Sequence, residues 1–199
     1  MADEPVAELT HPFEIDLKRL VIANHQFTME GIENDLHNKR NMTYEDFAFD
    51  EAMTPEIVHS ILTAWEHGYQ EFFIVARNQT MTALVTRFQH WAGAYARRLN
   101  NVRERGQPLK AELAFLSSNL GNGPSDTTFF LELEEVRNSI IHADAQSTWT
   151  YNGRNRAVNP RYAPNGYSVE VSERDINEAV DKCTAQIKFY DAKLVEMSK

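Results

Sequence analysis

Residues 172–197, SERDINEAVDKCTAQIKFYDAKLVEM, carry the clearest structural signal in the chain. Ile176, Val180, Cys183, Ile187, Tyr190, Leu194 and Met197 recur in strict four-three alternation, which lines one face of a helix. Ser172, with Asp175 three residues later, reads as a capping box that satisfies two backbone N–H groups at the helix start. One amphipathic helix cannot bury its own stripe, so the rest of the chain must supply partners for it. Residues 126–141 place Phe129, Leu133, Val136 and Ile140 on one face. They follow the breaker Gly121-Asn122-Gly123-Pro124, and Ser125 or Asp126 can cap them. Upstream, Gly106 and Pro108 precede a short helix over Leu109–Leu120.

Thr54-Pro55 resembles an N-cap followed by proline in the first turn. Ile57, Ile61, Ala64, Gly68, Phe72 and Val75 then predict a buried helical face. Leu84, Phe88, Trp91, Tyr95 and Leu99 continue it, as one long helix or two stacked ones reaching about Glu104. Phe13 to about Leu36 predicts a further helix through Leu17, Leu20, Val21 and Phe27, and the acidic residues 44–51 predict a loop. Only residues 147–158 change character. Trp149, Thr150 and Tyr151 precede Asn152-Gly153, a pair that favours a tight hairpin. A second Asn-Gly, at 165 and 166, precedes another strand candidate over 167–171. The expected fold is all-α: a helical bundle with a small β-hairpin insertion before the final helix. Residues 1–53 form an acidic helix and loop packed on or flanking the bundle of residues 54–199.

The 199 residues suit one domain, and 42% hydrophobic content with 11% aromatics suffices for a packed core. The single cysteine, Cys183, excludes an internal disulfide and cannot by itself make a zinc cage; no metal or other cofactor is expected. MADEPVAELT lacks a basic-then-apolar leader, and the longest apolar run, residues 72–76, is far short of a membrane span. A soluble, cytoplasmic protein without membrane contact is the expectation.

The net charge of −9 argues against a general nucleic-acid coat, because such binding neutralises phosphates. The excess is local, however. Residues 1–60 hold 13 acids against four Lys or Arg, and residues 61–199 hold 16 of each. Between 87 and 110, Arg87, Arg97, Arg98, Arg103, Arg105 and Lys110 face only Glu104, with Phe88, Trp91 and Tyr95 interleaved. Such a stripe tracks a nucleic-acid backbone, or is a helix with core aromatics and a solvated basic face.

One constellation rises above this background: Leu133-Glu134-Glu135-Val136-Arg137-Asn138-Ser139-Ile140-Ile141-His142. With Val136 as origin, the core stripe spans about 0° to 60° at 100° per residue. Asn138, His142 and Glu135 fall at about 200° to 260°, with Arg137 on the flank. The helix therefore buries one side and presents Glu135, Asn138 and His142 on another, within reach of Arg137. Histidine is the side chain whose ordinary titration lies near neutrality, so it can move protons at working pH. Arginine stays charged and offers phosphate a planar fork. Asn138 can orient substrate or imidazole. The group suits phosphodiester cleavage in RNA; with the ribose 2′-hydroxyl as nucleophile, no metal is needed and DNA is spared. An Arg137–Glu134 pair one turn apart, with a histidine on the helix dipole, is the plain structural alternative.

Arg137-Asn138-Ser139-Ile140-Ile141-His142 resembles the R-x4-H motif of HEPN domains, with the likeness covering roughly the helices from 55 to 197. The resemblance implies a bundle that forms a homodimer in which two motifs face one cleft. It also implies metal-independent endoribonuclease activity leaving a cyclic phosphate, in toxin, phage-defence or RNA-processing roles. Arg137 and His142 would be the catalytic pair and Asn138 the supporting polar residue. Some relatives lack activity and serve as dimeric nucleotide-binding or regulatory modules, so RNA or a nucleotide is the implied ligand. An antitoxin or regulatory protein is a further implied partner. The tyrosine that nucleotidyltransferase antitoxins modify, two positions after the histidine, is replaced here by Asp144.

Arg97 and Arg98 in the basic stripe are candidate substrate-binding residues; Arg154, Arg156 and Arg161, in an acid-free stretch after the hairpin, either extend a substrate groove from His142, with Arg154 and Arg156 as its candidate contacts, or form a solvated loop. His59 and His67 lie eight residues apart, without the i, i+4 spacing of a helical metal site. His11, His25, His37 and His90 show no partner pattern, and no glycine-rich phosphate loop or nucleophile elbow is present.

Overall fold

The computed structural model describes residues 11–24 and 55–199, together with Asn34 and His37. Helices α1 (Pro12–Asn24), α2 (Pro55–Leu99), α3 (Leu109–Leu120), α4 (Thr127–His142) and α5 (Glu173–Met197) make up most of it. Strands β1 (Thr148–Tyr151) and β2 (Arg154–Ala157) form an antiparallel hairpin between α4 and α5, followed by a short 3-10 turn, Pro160–Tyr162. The all-α bundle with a hairpin before its last helix is the architecture expected from periodicity.

The second half of α2 is the central post. Met81, Leu84, Val85, Phe88, Ala92, Tyr95 and Ala96 are buried against Leu113 and Leu116 of α3, Phe130 and Leu133 of α4, and Cys183, Ile187 and Tyr190 of α5. Phe13 and Leu17 of α1 are fully buried in the same core. The Phe88 ring stacks on Phe130 with centroids 4.7 Å apart, and Phe13 packs tilted against Phe88 at 6.4 Å. The aromatics of the basic stripe are therefore core side chains: Phe88 and Tyr95 are buried and Trp91 is partly buried against Phe13.

The predicted buried face of the first half of α2 is corrected by the structure. Ala64, Gly68, Phe72 and Val75 are exposed, Phe72 to 47% and Val75 to 50%. At about 1.5 Å per residue, α2 extends for roughly 68 Å and the next longest helix, α5, for roughly 38 Å. The stripe continues beyond the other described helices. The side chains of Ile57 and Ile61, the cap at Thr54, the loop over 44–51 and the predicted continuation of α1 to Leu36 lie outside the described residues. A second correction concerns the end of α2, which stops at Leu99 rather than near Glu104. Asn100 Oδ1 accepts the Val102 N–H at 3.2 Å, a local turn that competes with further helix. A third concerns residues 167–171, where a single isolated bridge, Gln146 to Ser168, replaces the expected strand.

The caps follow the sequence closely. Asp126 accepts the Thr128 N–H, and Ser172 and Asp175 form the full reciprocal box at the start of α5. Asp175 also receives Arg161, which bridges to Glu178. Burial opposes ionisation of Asp175, but hydrogen bonds from Ser172 and Arg161 outweigh it and hold the carboxyl below its ordinary 3.8. A depressed folded-state value means that its stabilisation is complete above the unfolded-state value and is lost as pH falls through the folded one. Thermal unfolding followed from pH 6 to pH 3 should show the midpoint dropping below about pH 4. Asp175→Asn should flatten that acid limb; an equally steep limb in the variant would contradict this account.

Candidate active site

Helix α4 exposes its polar side because Phe129, Phe130, Leu133 and Val136 turn the opposite side inward. His142 is its last residue. The chain then reverses through Asp144 (φ 51°) and Ala145 (φ 59°), both left-handed and unusual for side chains bearing Cβ. Ser139, inside the motif and fully buried, holds this turn: its hydroxyl donates to Gln146 O at 2.6 Å, while Ser139 O accepts from the N–H groups of Ala143 and Ala145. Ser139, which the sequence reading missed, pins the turn that leads from α4 to the hairpin. On the same helical count Ser139 falls at about 300°, next to the apolar stripe, and a hydroxyl there was the available signal.

The redirected chain enters the hairpin. Asn152 (φ 49°) and Gly153 (φ 71°) both adopt positive φ, the geometry of the tight turn that Asn-Gly favours. The register pairs Trp149 with Arg156 and Tyr151 with Arg154. The hairpin thereby carries Trp149, Tyr151 and Arg156 to His142. With Asn138 these residues line a cavity of about 140 Å³. The His142 and Tyr151 rings stack with centroids 5.6 Å apart and planes inclined at 30°.

Arg137 stands beside this cavity rather than in its lining. One guanidinium nitrogen donates to Gln89 Oε1 and another to Asn138 Oδ1 at 3.0 Å, with Glu134 more distant at 3.7 Å. Glu134 instead accepts the Leu109 N–H and so caps α3. Because Arg137 can only donate, Asn138 must turn its Oδ1 toward it, which leaves the Nδ2 amide for another acceptor. Asn138 thus joins Arg137 to the cavity that Asn138 and His142 both line. Glu135, expected on the same face, pairs with Arg156. Gln89, the clamp on Arg137, carried no signal in the sequence because its role depends on α2 crossing α4.

The other candidate cations separate. Arg97 lines a second cavity of about 500 Å³ with His90, Gly93, Arg105 and Glu112. A Cβ on Gly93 would stand 3.2 Å from Arg97 and 3.3 Å from Glu112, so glycine permits this approach of α2 and α3. Arg98 instead lies over the Tyr95 ring and 4.0 Å from Asp191. Asp191 also accepts from Tyr95 at 2.6 Å and contacts His11, which supplies the partner the sequence did not reveal for that histidine. Arg87 pairs with Asp16, and Arg103 with the buried Glu112. Arg154 is exposed on the hairpin, opposite Tyr151. Cys183 is fully buried, and burial pushes its thiol up, away from the thiolate form.

Among the described residues, no three His, Cys, Asp or Glu side chains converge as a metal site, and no helix is long and apolar enough to cross a membrane. No family model matches the chain, and neither a curated protein nor a solved structure matches it significantly.

Proposed function

We infer that the protein is a metal-independent endoribonuclease of HEPN type, cleaving RNA by attack of a ribose 2′-hydroxyl on the adjacent phosphorus. The observation that carries this reading is the cavity joining His142, Asn138 and Arg156 at the end of the motif helix, with Arg137 hydrogen-bonded to its rim. His142 exchanges protons with the 2′-hydroxyl or the leaving 5′-oxygen, while arginine offsets the charge that grows on the non-bridging oxygens. Both Arg137 and Arg156 already hold hydrogen-bonding partners, and an arriving phosphate competes with Glu135 for Arg156. The nearest substrate contacts in this reading are Arg156, which lines the cavity, and Arg154 beside it on the hairpin; Arg97 lines the second cavity together with Gln89, the partner of Arg137.

A homodimer completes the arrangement. Ile141, next to His142, is 53% exposed, an apolar side chain that a second copy would cover. Two copies would bring two imidazoles to one cleft, one as base and one as acid. A toxin or phage-defence role, a cytoplasmic location and an antitoxin or other regulatory protein as partner belong to this reading. The alternative is a non-catalytic, dimeric nucleotide-binding or regulatory module, favoured by the engagement of Arg137 with Gln89, Asn138 and Glu134.

Incubation of the purified protein with RNA and with DNA of matching sequence, both in excess chelator, tests the proposal. RNA fragments ending in a 2′,3′-cyclic phosphate, intact DNA and loss of cleavage in His142→Ala are the expected results. Intact RNA with wild-type protein, or equal cleavage by the variant, overturns it. Nucleotide-dependent thermal stabilisation without cleavage would support the binding module.

A further inference from the structure

The hairpin register places two aromatics and two arginines on one face. Directly paired residues of an antiparallel ladder project to the same side, and so do alternate residues along each strand. Tyr151↔Arg154 and Trp149↔Arg156 therefore share a face, while Thr150 and Asn155 occupy the other and hydrogen-bond there at 3.1 Å. The shared face is the one toward His142, since Trp149, Tyr151 and Arg156 line its cavity. Tyr151 remains 46% exposed even with the His142 ring against it. Arg154 has no acidic partner among the described residues.

We propose that this hairpin face is a single-strand docking platform, on which Tyr151 stacks an unpaired base next to the reacting phosphate while Arg154 and Arg156 follow the backbone. The proposal rests on the ribonuclease reading and adds its substrate class: single-stranded RNA rather than duplex. A base paired within a helix has its faces covered by its neighbours, whereas an unpaired base can leave its stack and settle on an aromatic ring. The 140 Å³ cavity is of a size for one phosphate or sugar, which leaves the base outside, over the exposed part of Tyr151. Stacking tolerates any base, so the platform selects strandedness and not sequence.

The test measures binding of a fully 2′-O-methylated RNA strand, which cannot undergo 2′-hydroxyl attack, as a single strand and annealed to its complement. Wild type should prefer the single strand. Tyr151→Ala should weaken single-strand binding by about tenfold and leave duplex binding unchanged. Tyr151→Phe should retain it, and Thr150→Val, on the opposite face, should behave as wild type. Circular dichroism checks that each variant is folded. Equal binding of single strand and duplex by wild type, or unchanged binding in Tyr151→Ala, overturns the platform. Cleavage of unmodified RNA is assayed in parallel. Tyr151-dependent binding without cleavage removes the nuclease reading and keeps the platform; cleavage that ignores Tyr151 does the reverse. Absence of both removes both.

Discussion

His142→Ala is expected to slow the proposed RNA cleavage by about 10²- to 10⁴-fold, the range for losing a positioned proton-transfer group. The side chain is exposed at the end of α4 and its one described ring contact is with the exposed Tyr151, so its removal should cost little stability. The lost rate then reads chemistry rather than unfolding. Arg137→Ala should fall in the same direction, because the phosphate charge that Arg137 offsets in the proposed reaction develops mainly in the transition state. Arg137→Lys should not restore the rate. The guanidinium reaches Gln89 and Asn138 with two different nitrogens, and an ammonium cannot hold that fork. Rates measured under single-turnover conditions, with unfolding midpoints for each variant, separate these effects. An Arg137→Lys variant with wild-type activity would show that charge alone suffices and that the clamp from α2 is unimportant.

Phe88→Ala is expected to destabilise the fold by about 3–5 kcal/mol, lowering the thermal midpoint by roughly 10 °C. Its ring is buried where three helices meet: it stacks on Phe130 of α4 and packs against Phe13 of α1. Removing it opens a cavity that neither neighbour can close without losing its own contacts. Phe88→Leu keeps most of the volume and should cost less than about 1.5 kcal/mol. Denaturant unfolding of both variants checks this. A cost below about 1 kcal/mol for Phe88→Ala would mean that α1 and α4 do not depend on this contact. Since the loss lies in the α2–α4 packing that also seats Gln89 against Arg137, Phe88→Ala should lower activity as well, in proportion to the unfolded fraction.

The exposed half of α2 shows where periodicity stops being informative. Phe72 and Val75 fit the helical stripe as well as Leu84 and Phe88 do, yet only the latter pair is buried. Amphipathic spacing says that a face is apolar; it does not say how far the neighbouring helices extend. The basic stripe gives the same lesson in charge. Arg97 and Arg98 are adjacent, but a rotation of about 100° per residue sends one to the cavity shared with α3 and the other to Asp191 of α5. The aromatics between these cations lie in the core, whereas the aromatics that flank His142 come from the hairpin.

By itself, the amino-acid sequence determined what is local. The five described helices, the capping box at Ser172, the Asn152-Gly153 turn and the shared polar face of Asn138 and His142 follow from spacings of two to four residues and the breakers between them. Such spacings act through backbone geometry that every chain obeys. Tertiary structure alone decided which stripes found neighbours, that Gln89 grips Arg137, that Ser139 pins the turn after the motif, and that Arg156 and Tyr151 reach His142. These contacts lie beyond spacings of two to four residues: Gln89 meets Arg137 only where two helices cross, and Ser139 meets Gln146, as Tyr151 meets His142, only where the chain folds back after α4.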